Sequence, residues 1–131
     1  KNKTERVREM AAWSLLNAVD GGLDVSPAIA DLGKALATGG EAVRLNAALA
    51  LHTAVEKGLY ISPAAYNLGK ALAGKDRDVA LFAARALQCA AEKDQNIKAA
   101  EDHLRAAVAD RNPEIMVCVK KAVSLIEKKA A

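Results

Sequence analysis

Two patterns of apolar and small residues alternate along the chain, and both recur every 36 residues. In the first pattern a β-branched residue precedes two small residues and then a large aliphatic residue, at the spacing of one helix face. Self-similarity at this period predicts a repeat protein in which neighbouring units bury one another's apolar faces. The β-branched positions are Val7, Val43, Val79 and Ile115, the small pairs are Ala11-Ala12, Ala47-Ala48 and Ala83-Ala84, and the aliphatic positions are Leu15, Leu51 and Leu87.

The second pattern predicts shorter helices, which we call A helices. Two of them begin at Ser26-Pro27 and Ser62-Pro63, where serine is expected to cap the helix and proline to occupy its first position. In the third copy Asn96-Ile97-Lys98-Ala99 replaces the Ser-Pro start. The A helices are expected to end near Gly39-Gly40, Gly74 and Asp110.

The first pattern predicts longer helices, which we call B helices. They run from about Glu5, Glu41, Asp78 and Pro113, with an acidic residue in each first turn, as the helix dipole favours. The first two are expected to end at Gly21-Gly22 and Gly58. The order is one B helix and then three A–B pairs, so we predict an all-α fold of about seven helices. The pairs are expected to be antiparallel and to stack into an α-solenoid. The predicted core side chains of the first B helix are Val7, Ala11, Leu15, Ala18 and Val19.

Composition supports closely packed helices. Hydrophobic residues make up 52% of the chain but aromatic residues only 3%, and alanine accounts for much of the difference. Gly33 and Gly69 lie in the middle of A helices, which predicts close packing against a neighbouring helix and not a phosphate-binding loop. We predict a single domain over 1–131, with repeat copies at about 1–22 (partial), 23–58, 59–94 and 95–131. Because the chain begins inside a repeat, we interpret it as a piece of a longer protein.

The B-helix pattern resembles that of the HEAT-like repeat family, in a variant with a period of 36. The family pattern is an acidic residue, a Val-Arg pair, a small pair and a leucine. The resemblance implies an α-solenoid whose B helices line a concave surface. Tetratricopeptide repeats fit less well, since Asn17 stands where their signature has glycine, and the Thr-Pro-Leu-His core of ankyrin repeats is missing. The matching residues are Glu5, Val7-Arg8, Ala11-Ala12 and Leu15, and again Glu41, Val43-Arg44, Ala47-Ala48 and Leu51; Ala80 and Met116 replace the arginine in the later copies.

On the side of the B helices opposite the core, the repeat-equivalent residues differ from copy to copy. Two of the four aromatic residues of the chain, Trp13 and Phe82, fall on this side, and aromatic side chains are favoured anchors at protein interfaces. We therefore predict a non-catalytic scaffold that binds a protein partner through this concave surface. Two alternatives stay open: Trp13 caps the N-terminal end of the stack, or further repeats cover the strip. The open N-terminal face also permits a homodimer. The predicted partner-binding residues are Met10, Trp13, Asn17, Asn46, Leu49, Thr53, Phe82, Arg85 and Cys89.

Charge suggests a second class of function. The chain has 19 basic and 16 acidic residues, a net charge of +3, and the whole excess falls after Asp110. A HEAT-like module that binds nucleic acid through its basic C-terminal helix is therefore an alternative, although a polar end cap explains the same residues. The family resemblance also implies a bilin-lyase-like chaperone as an alternative. The basic residues are Arg111, Lys120, Lys121, Lys128 and Lys129.

Signals of catalysis are weak. His52 and His103 lie on helices of different type, and no Cys-x-x-Cys motif is present, so the spacing of a metal site is absent. Cys89 and Cys118 are too far apart along their helices for a disulfide, and unpaired thiols suit a reducing cytoplasm. No apolar run is long enough to span a membrane. We predict no enzymatic activity, no cofactor, no metal site, no membrane association and a cytoplasmic location.

Overall fold

The computed structural model describes residues 3–130, and the chain within this range is helical, with no strand. This confirms the all-α prediction and the number of helices. The B helices are α1 (Lys3–Asp20), α3 (Glu41–Glu56), α5 (Arg77–Glu92) and α7 (Pro113–Ala130). The A helices are α2 (Ile29–Thr38), α4 (Ala65–Ala71) and α6 (Glu101–Ala107), and each follows one turn of 3-10 helix, at Ser26–Ala28, Ser62–Ala64 and Lys98–Ala100.

The helices form two layers. In one layer α1 packs on α3, α3 on α5 and α5 on α7; in the other, α2 packs on α4 and α4 contacts α6. The layers are joined because each A helix packs on the B helix that follows it in the chain. The core lies between the layers and consists of aliphatic and alanine side chains, with no buried polar or charged residue among the described ones.

The predicted serine caps are wrong. Ser26 and Ser62 lie inside the 3-10 turns, and neither side chain caps a helix. The Ser26 hydroxyl instead donates to Asp24 Oδ1 at 2.6 Å, and the Ser62 hydroxyl is buried without a partner within the described part of the chain. Before the first 3-10 turn Asp24 Oδ1 accepts the Ser26 N–H, and before the third turn, which has no serine, Asn96 Oδ1 accepts the Lys98 N–H. Short Asp and Asn side chains bond readily to the backbone two residues on, which explains this choice.

The three B-to-A loops share one conformation. The N–H groups of Leu23, Leu59 and Gln95 each donate to the carbonyl five residues earlier, at a distance of 2.9 Å, as in the Schellman motif. The residue before each of them has a positive φ: +85° at Gly22, +90° at Gly58 and +61° at Asp94. Glycine adopts this conformation without steric cost, so the helix ends predicted at Gly21-Gly22 and Gly58 are confirmed.

Gly33 and Gly69 lie where α2 and α4 pack closely against the 3-10 turn that precedes the next A helix. A Cβ atom at Gly33 would lie 3.1 Å from the Ala64 Cα atom, and one at Gly69 would lie 3.1 Å from the Ala100 Cα atom. The prediction of close helix packing at these glycines is therefore confirmed. The equivalent residue of α6 is Arg105, which is exposed and pairs with Glu101 and Glu127.

The predicted core is wrong in the first copy. Val7 is 64% exposed, whereas its equivalents Val43, Val79 and Ile115 are 1%, 3% and 0% exposed. Ala11 is also exposed, and Leu15 and Ala18 are only half-buried; Val19 alone of the five predicted side chains is fully buried. The physical reason is that α3, α5 and α7 each receive an A helix on this side, while no described A helix packs on α1 in the equivalent way.

Candidate partner-binding face of the B helices

The nine predicted partner-binding residues all retain solvent-accessible surface, and none belongs to the fully buried core. They fall into an exposed group on α1 and a half-buried group on α3 and α5. On α1, Met10 is 69% and Trp13 is 58% exposed, and Asn17 is exposed as well. The half-buried group consists of Asn46, Leu49 and Thr53 on α3 and Phe82, Arg85 and Cys89 on α5.

The exposed group borders a surface cavity of about 400 Å³ between α1 and α3. Met10 and Trp13 give it an apolar wall, and Asn46 of α3 closes the opposite side. Two charged residues, Arg6 and Glu9, complete the lining. The sequence prediction missed these two, although Arg6 lies four residues before Met10 and Glu9 four residues before Trp13, and therefore on the same part of the helix surface.

The half-buried group is linked by contacts within the chain. The Phe82 ring lies between His52, whose ring centroid is 6.0 Å away, and Arg85, whose guanidinium carbon is 5.6 Å from the Phe82 centroid. Arg85 also pairs with Glu114 of α7 at 3.2 Å. Phe82 is therefore part of the wall that joins α3, α5 and α7, and is not a freely projecting anchor like Trp13.

His52 of α3 is half-buried beside Phe82 of α5. Its Nδ1 atom is 3.7 Å from Glu56 Oε1. Burial lowers the pKa of His52 and the nearby Arg85 lowers it further, while Glu56 acts in the opposite direction. A lowered pKa favours the neutral imidazole at neutral pH, so His52 contributes an aromatic surface beside Phe82 more than a charge.

The two cysteines are free thiols. Burial is the largest cause of a raised pKa for both Cys89 and Cys118. Because the thiolate is the nucleophilic form, a raised pKa makes both side chains poor nucleophiles at neutral pH. Cys89 of α5 and Cys118 of α7 both pack against the hydrophobic core.

Two of the basic residues of α7 pair with carboxylates. Lys121 Nζ lies 3.1 Å from Glu92 Oε2, and Lys129 Nζ lies 3.7 Å from Asp94 Oδ1. Both pairs are exposed and contribute little to stability. They do reduce the positive potential that α7 presents to a polyanion.

Other titratable residues do not converge into a reactive site. Glu101 pairs with Arg105 at 3.1 Å, while the His103 ring packs edge-on against Tyr66 at 5.4 Å. Within residues 3–130 no group of three or more His, Cys, Asp or Glu side chains is arranged to hold a metal ion. None of the described helices is long and apolar enough to cross a membrane.

Comparison of the chain with protein-family models, with curated proteins and with solved structures finds no match. The resemblance to HEAT-like repeats therefore stays a prediction from the B-helix pattern.

Proposed function

We propose that this chain is a HEAT-like α-solenoid that acts as a non-catalytic scaffold and binds a protein partner through the B-helix face. The architecture is supported by the two helix layers, the 36-residue recurrence of the loops and the glycine contacts between A helices. In a stack of this kind each unit contacts mainly its neighbours, and an extended surface is left for binding.

The observation that carries the binding proposal is the exposure of Met10 and Trp13 beside the cavity lined by Arg6, Glu9 and Asn46. An indole buries a large area with little loss of side-chain entropy, and a thioether adapts its shape to different partners. Arg6 and Glu9 add polar groups of both signs around this apolar wall. An apolar centre with a polar rim is the usual anatomy of a protein interface.

A scaffold role is also supported by the state of the reactive side chains. The thiols of Cys89 and Cys118 have raised pKa values, and the His52 ring packs beside the ring of Phe82. The His103 ring packs edge-on against the ring of Tyr66. These groups serve packing within the repeat.

The open face of α1 suggests a second copy of the chain as one partner. Val7 is 64% exposed and lies three residues before Met10, so that it extends the apolar surface of Met10 and Trp13 along α1. Exposed apolar patches of several hundred Å² commonly mark interaction sites. The titration described next distinguishes another protein from a second copy of this chain as the partner at this surface.

The experiment uses Trp13, the single tryptophan of the chain, as its own reporter. Proteins from the source cell are captured on the immobilised wild-type chain, and each candidate is then titrated against the free chain while Trp13 emission is followed. A partner that uses this site shifts the emission to shorter wavelength as the indole leaves water. Trp13→Ala is expected to weaken the partner's affinity at least about tenfold, a typical result for a buried interface aromatic residue.

The matched control is Tyr66→Ala, because Tyr66 is also an exposed aromatic side chain, 52% accessible, but lies on an A helix. Unchanged capture by Trp13→Ala, or equal loss with Tyr66→Ala, would contradict the proposal. A concentration-dependent emission shift of the chain alone, together with a dimeric mass by light scattering, would identify the partner as a second copy.

A further inference from the structure

The outer side of α1, which faces away from the core, carries a basic, an aromatic and an acidic residue at equal spacing. Arg6, Trp13 and Asp20 follow one another at intervals of seven residues. Because seven residues are close to two turns of helix, the three lie in one row along α1. All three are exposed. We call this row the α1 stripe.

The α1 stripe is complementary to itself when a second α1 helix lies antiparallel to it. With the two Trp13 residues opposite one another, Arg6 of each copy lies opposite Asp20 of the other, because both charges are seven residues from the tryptophan. Two-fold symmetry repeats each contact, so an ion pair forms on either side of the indoles. In a parallel pair Arg6 would face Arg6 and Asp20 would face Asp20, and like charges repel.

The equivalent rows on the other B helices are not complementary to themselves. On α3 the residue equivalent to Arg6 is Ala42, which has no charge. An antiparallel copy of α5 would bring carboxylates together at both ends, and an antiparallel copy of α7 would bring two lysines together at the centre. The rows are Asp78, Arg85 and Glu92 on α5, and Glu114, Lys121 and Lys128 on α7.

The two charges of the α1 stripe oppose the dipole of their own helix. Arg6 is the fourth residue of α1 and Asp20 is its last, whereas a helix favours acidic groups at its N-terminus and basic groups at its C-terminus. An antiparallel second copy reverses this relation, since its N-terminus lies beside Asp20 and its C-terminus beside Arg6. The charge placement is therefore unfavourable within one α1 helix and favourable in the pair.

The centre of the α1 stripe is apolar and has room for a second indole. Met10 and Trp13, which are 69% and 58% exposed, border the surface cavity of about 400 Å³ between α1 and α3. This volume exceeds that of an indole, and two indoles pack well edge-on or offset. The half-buried Leu16 lies three residues after Trp13 and faces Met10 of the second copy. The pair thus has an apolar centre and charged ends, as protein interfaces do.

The position of the α1 stripe stays accessible where B helices have neighbours on both sides. The helix α5 packs between α3 and α7, yet the side chains of Arg85 and Glu92 remain 40% and 41% exposed. These two residues are the equivalents of Trp13 and Asp20. A further helix beside α1 would therefore leave the stripe open.

We propose that a second copy of this chain binds the α1 stripe, so that two copies form a two-fold symmetric dimer through antiparallel α1 helices. The two Trp13 side chains pack against each other, and each Arg6 pairs with Asp20 across the interface. This proposal rests on the proposed function, because it names the partner of the face around Trp13.

Charge reversal is the first test, with dimerisation measured by sedimentation over a concentration series. Arg6→Glu places carboxylates opposite one another, and Asp20→Arg places guanidinium groups opposite one another. Each variant is expected to dimerise at least about tenfold more weakly than the wild type. Both substitutions suit the dipole of α1, so thermal unfolding of the dilute, monomeric chain should show no loss of stability.

Mixing the two charge variants is the second test. Between unlike copies both ion pairs form again, so the mixture is expected to give a heterodimer about as tight as the wild-type dimer. The matched control is Glu92→Arg, which makes the same charge change at the equivalent of Asp20 on α5 and should leave dimerisation unchanged. Trp13→Ala should weaken dimerisation at least about tenfold, because the centre of the interface is lost.

The outcomes separate this proposal from the proposed function. A wild-type chain that stays monomeric at about 1 mM, or a mixture of charge variants that dimerises no better than either alone, would overturn the dimer. Dimerisation that survives Trp13→Ala and both charge reversals would place the contact on another surface and overturn it as well. A monomeric chain that still captures a different protein through Trp13 would uphold the binding face and exclude the second copy.

Discussion

The helices α1 and α3 carry the same pattern of residues in different surroundings. Val7 of α1 is 64% exposed, whereas Val43 of α3 is 1% exposed. Ala11 and Ser14 of α1 are exposed, whereas the equivalent alanines of α3, Ala47 and Ala50, are fully buried. The difference arises because α2 covers α3 and no described helix covers α1 in that way. A residue pattern thus specifies which face of a helix can be buried, and the neighbouring element decides whether it is.

The two ends of the helix layers are open in different ways. At α1 the open surface is an apolar helix face with Val7, Met10 and Trp13. At the third B-to-A loop it is a surface cavity lined by Leu125, Ile126 and Lys129 among others, and no described group hydrogen-bonds to the Ile97 N–H. The first surface consists of apolar side chains, whereas the second combines apolar side chains with charged ones.

The largest effect is expected from a charge placed at the compared valine position. Val43→Asp should lower the free energy of unfolding by about 3–5 kcal/mol, because an unpaired carboxylate would be buried in the core. Val7→Asp should change it by less than about 0.5 kcal/mol, since the side chain projects into water. Denaturant unfolding followed by circular dichroism measures both. A large loss with Val7→Asp would show that the α1 face is covered, and the comparison would fail.

A moderate effect is expected from removing the carboxamide of Gln95, which donates to the Leu59 carbonyl and accepts the Ile61 N–H of the second B-to-A loop. Gln95→Leu keeps the size of the side chain but leaves the Ile61 N–H and the Leu59 carbonyl without their bonds, at a cost of about 1–3 kcal/mol. Exchange of the Ile61 amide should accelerate to the rate of the Ile97 amide. Gln88→Leu is the matched control, because its weak 3.5 Å contact with Glu92 predicts little change. If Gln95→Leu leaves both stability and exchange unchanged, the second and third loops do not differ as described.

The smallest effect is expected at the left-handed residue of the third loop. Asp94→Gly should raise the free energy of unfolding by a few tenths to about 1 kcal/mol, because a non-glycine residue is strained at positive φ. It loses the Lys129 ion pair, but that pair is exposed and weak.

The reverse change at the equivalent loop, Gly58→Asp, should lower stability by about 1 kcal/mol for the same reason. Thermal unfolding of the two variants beside the wild type measures the contrast. Destabilisation by Asp94→Gly would mean that the side-chain contacts of Asp94 outweigh the backbone strain.

The ends of the first two B helices could be predicted from the local sequence alone. The glycines at Gly22 and Gly58 predicted where α1 and α3 end, because a left-handed residue is a local requirement of the turn. The capping role predicted for Ser26 and Ser62 is wrong. Asp24 accepts the Ser26 N–H before the first 3-10 turn, and the Ser62 side chain makes no capping bond. The competing cap lies two residues away, and the Ser-Pro motif by itself does not reveal which side chain takes the backbone N–H.

The candidate site shows the same limit. Helical spacing put Trp13 and Phe82 on one side of the B helices, and both retain accessible surface. It did not show that the Phe82 ring packs beside His52 of the neighbouring helix α3, or that Asn46 of α3 lines the cavity beside Trp13. Contacts between helices depend on their crossing and separation, which the spacing within one helix does not contain.

The sequence by itself determined the seven helices, their two alternating types, the glycines at the turns and the small residues that let the A helices approach. Each of these follows from local geometry or from the 36-residue repeat. Only the tertiary structure decided which copies of a repeated residue are buried, and which loop has its backbone groups paired. The physical reason is that burial and hydrogen-bond pairing are properties of two elements in contact, so identical residues such as Val7 and Val43 differ wherever one of them lacks its neighbour.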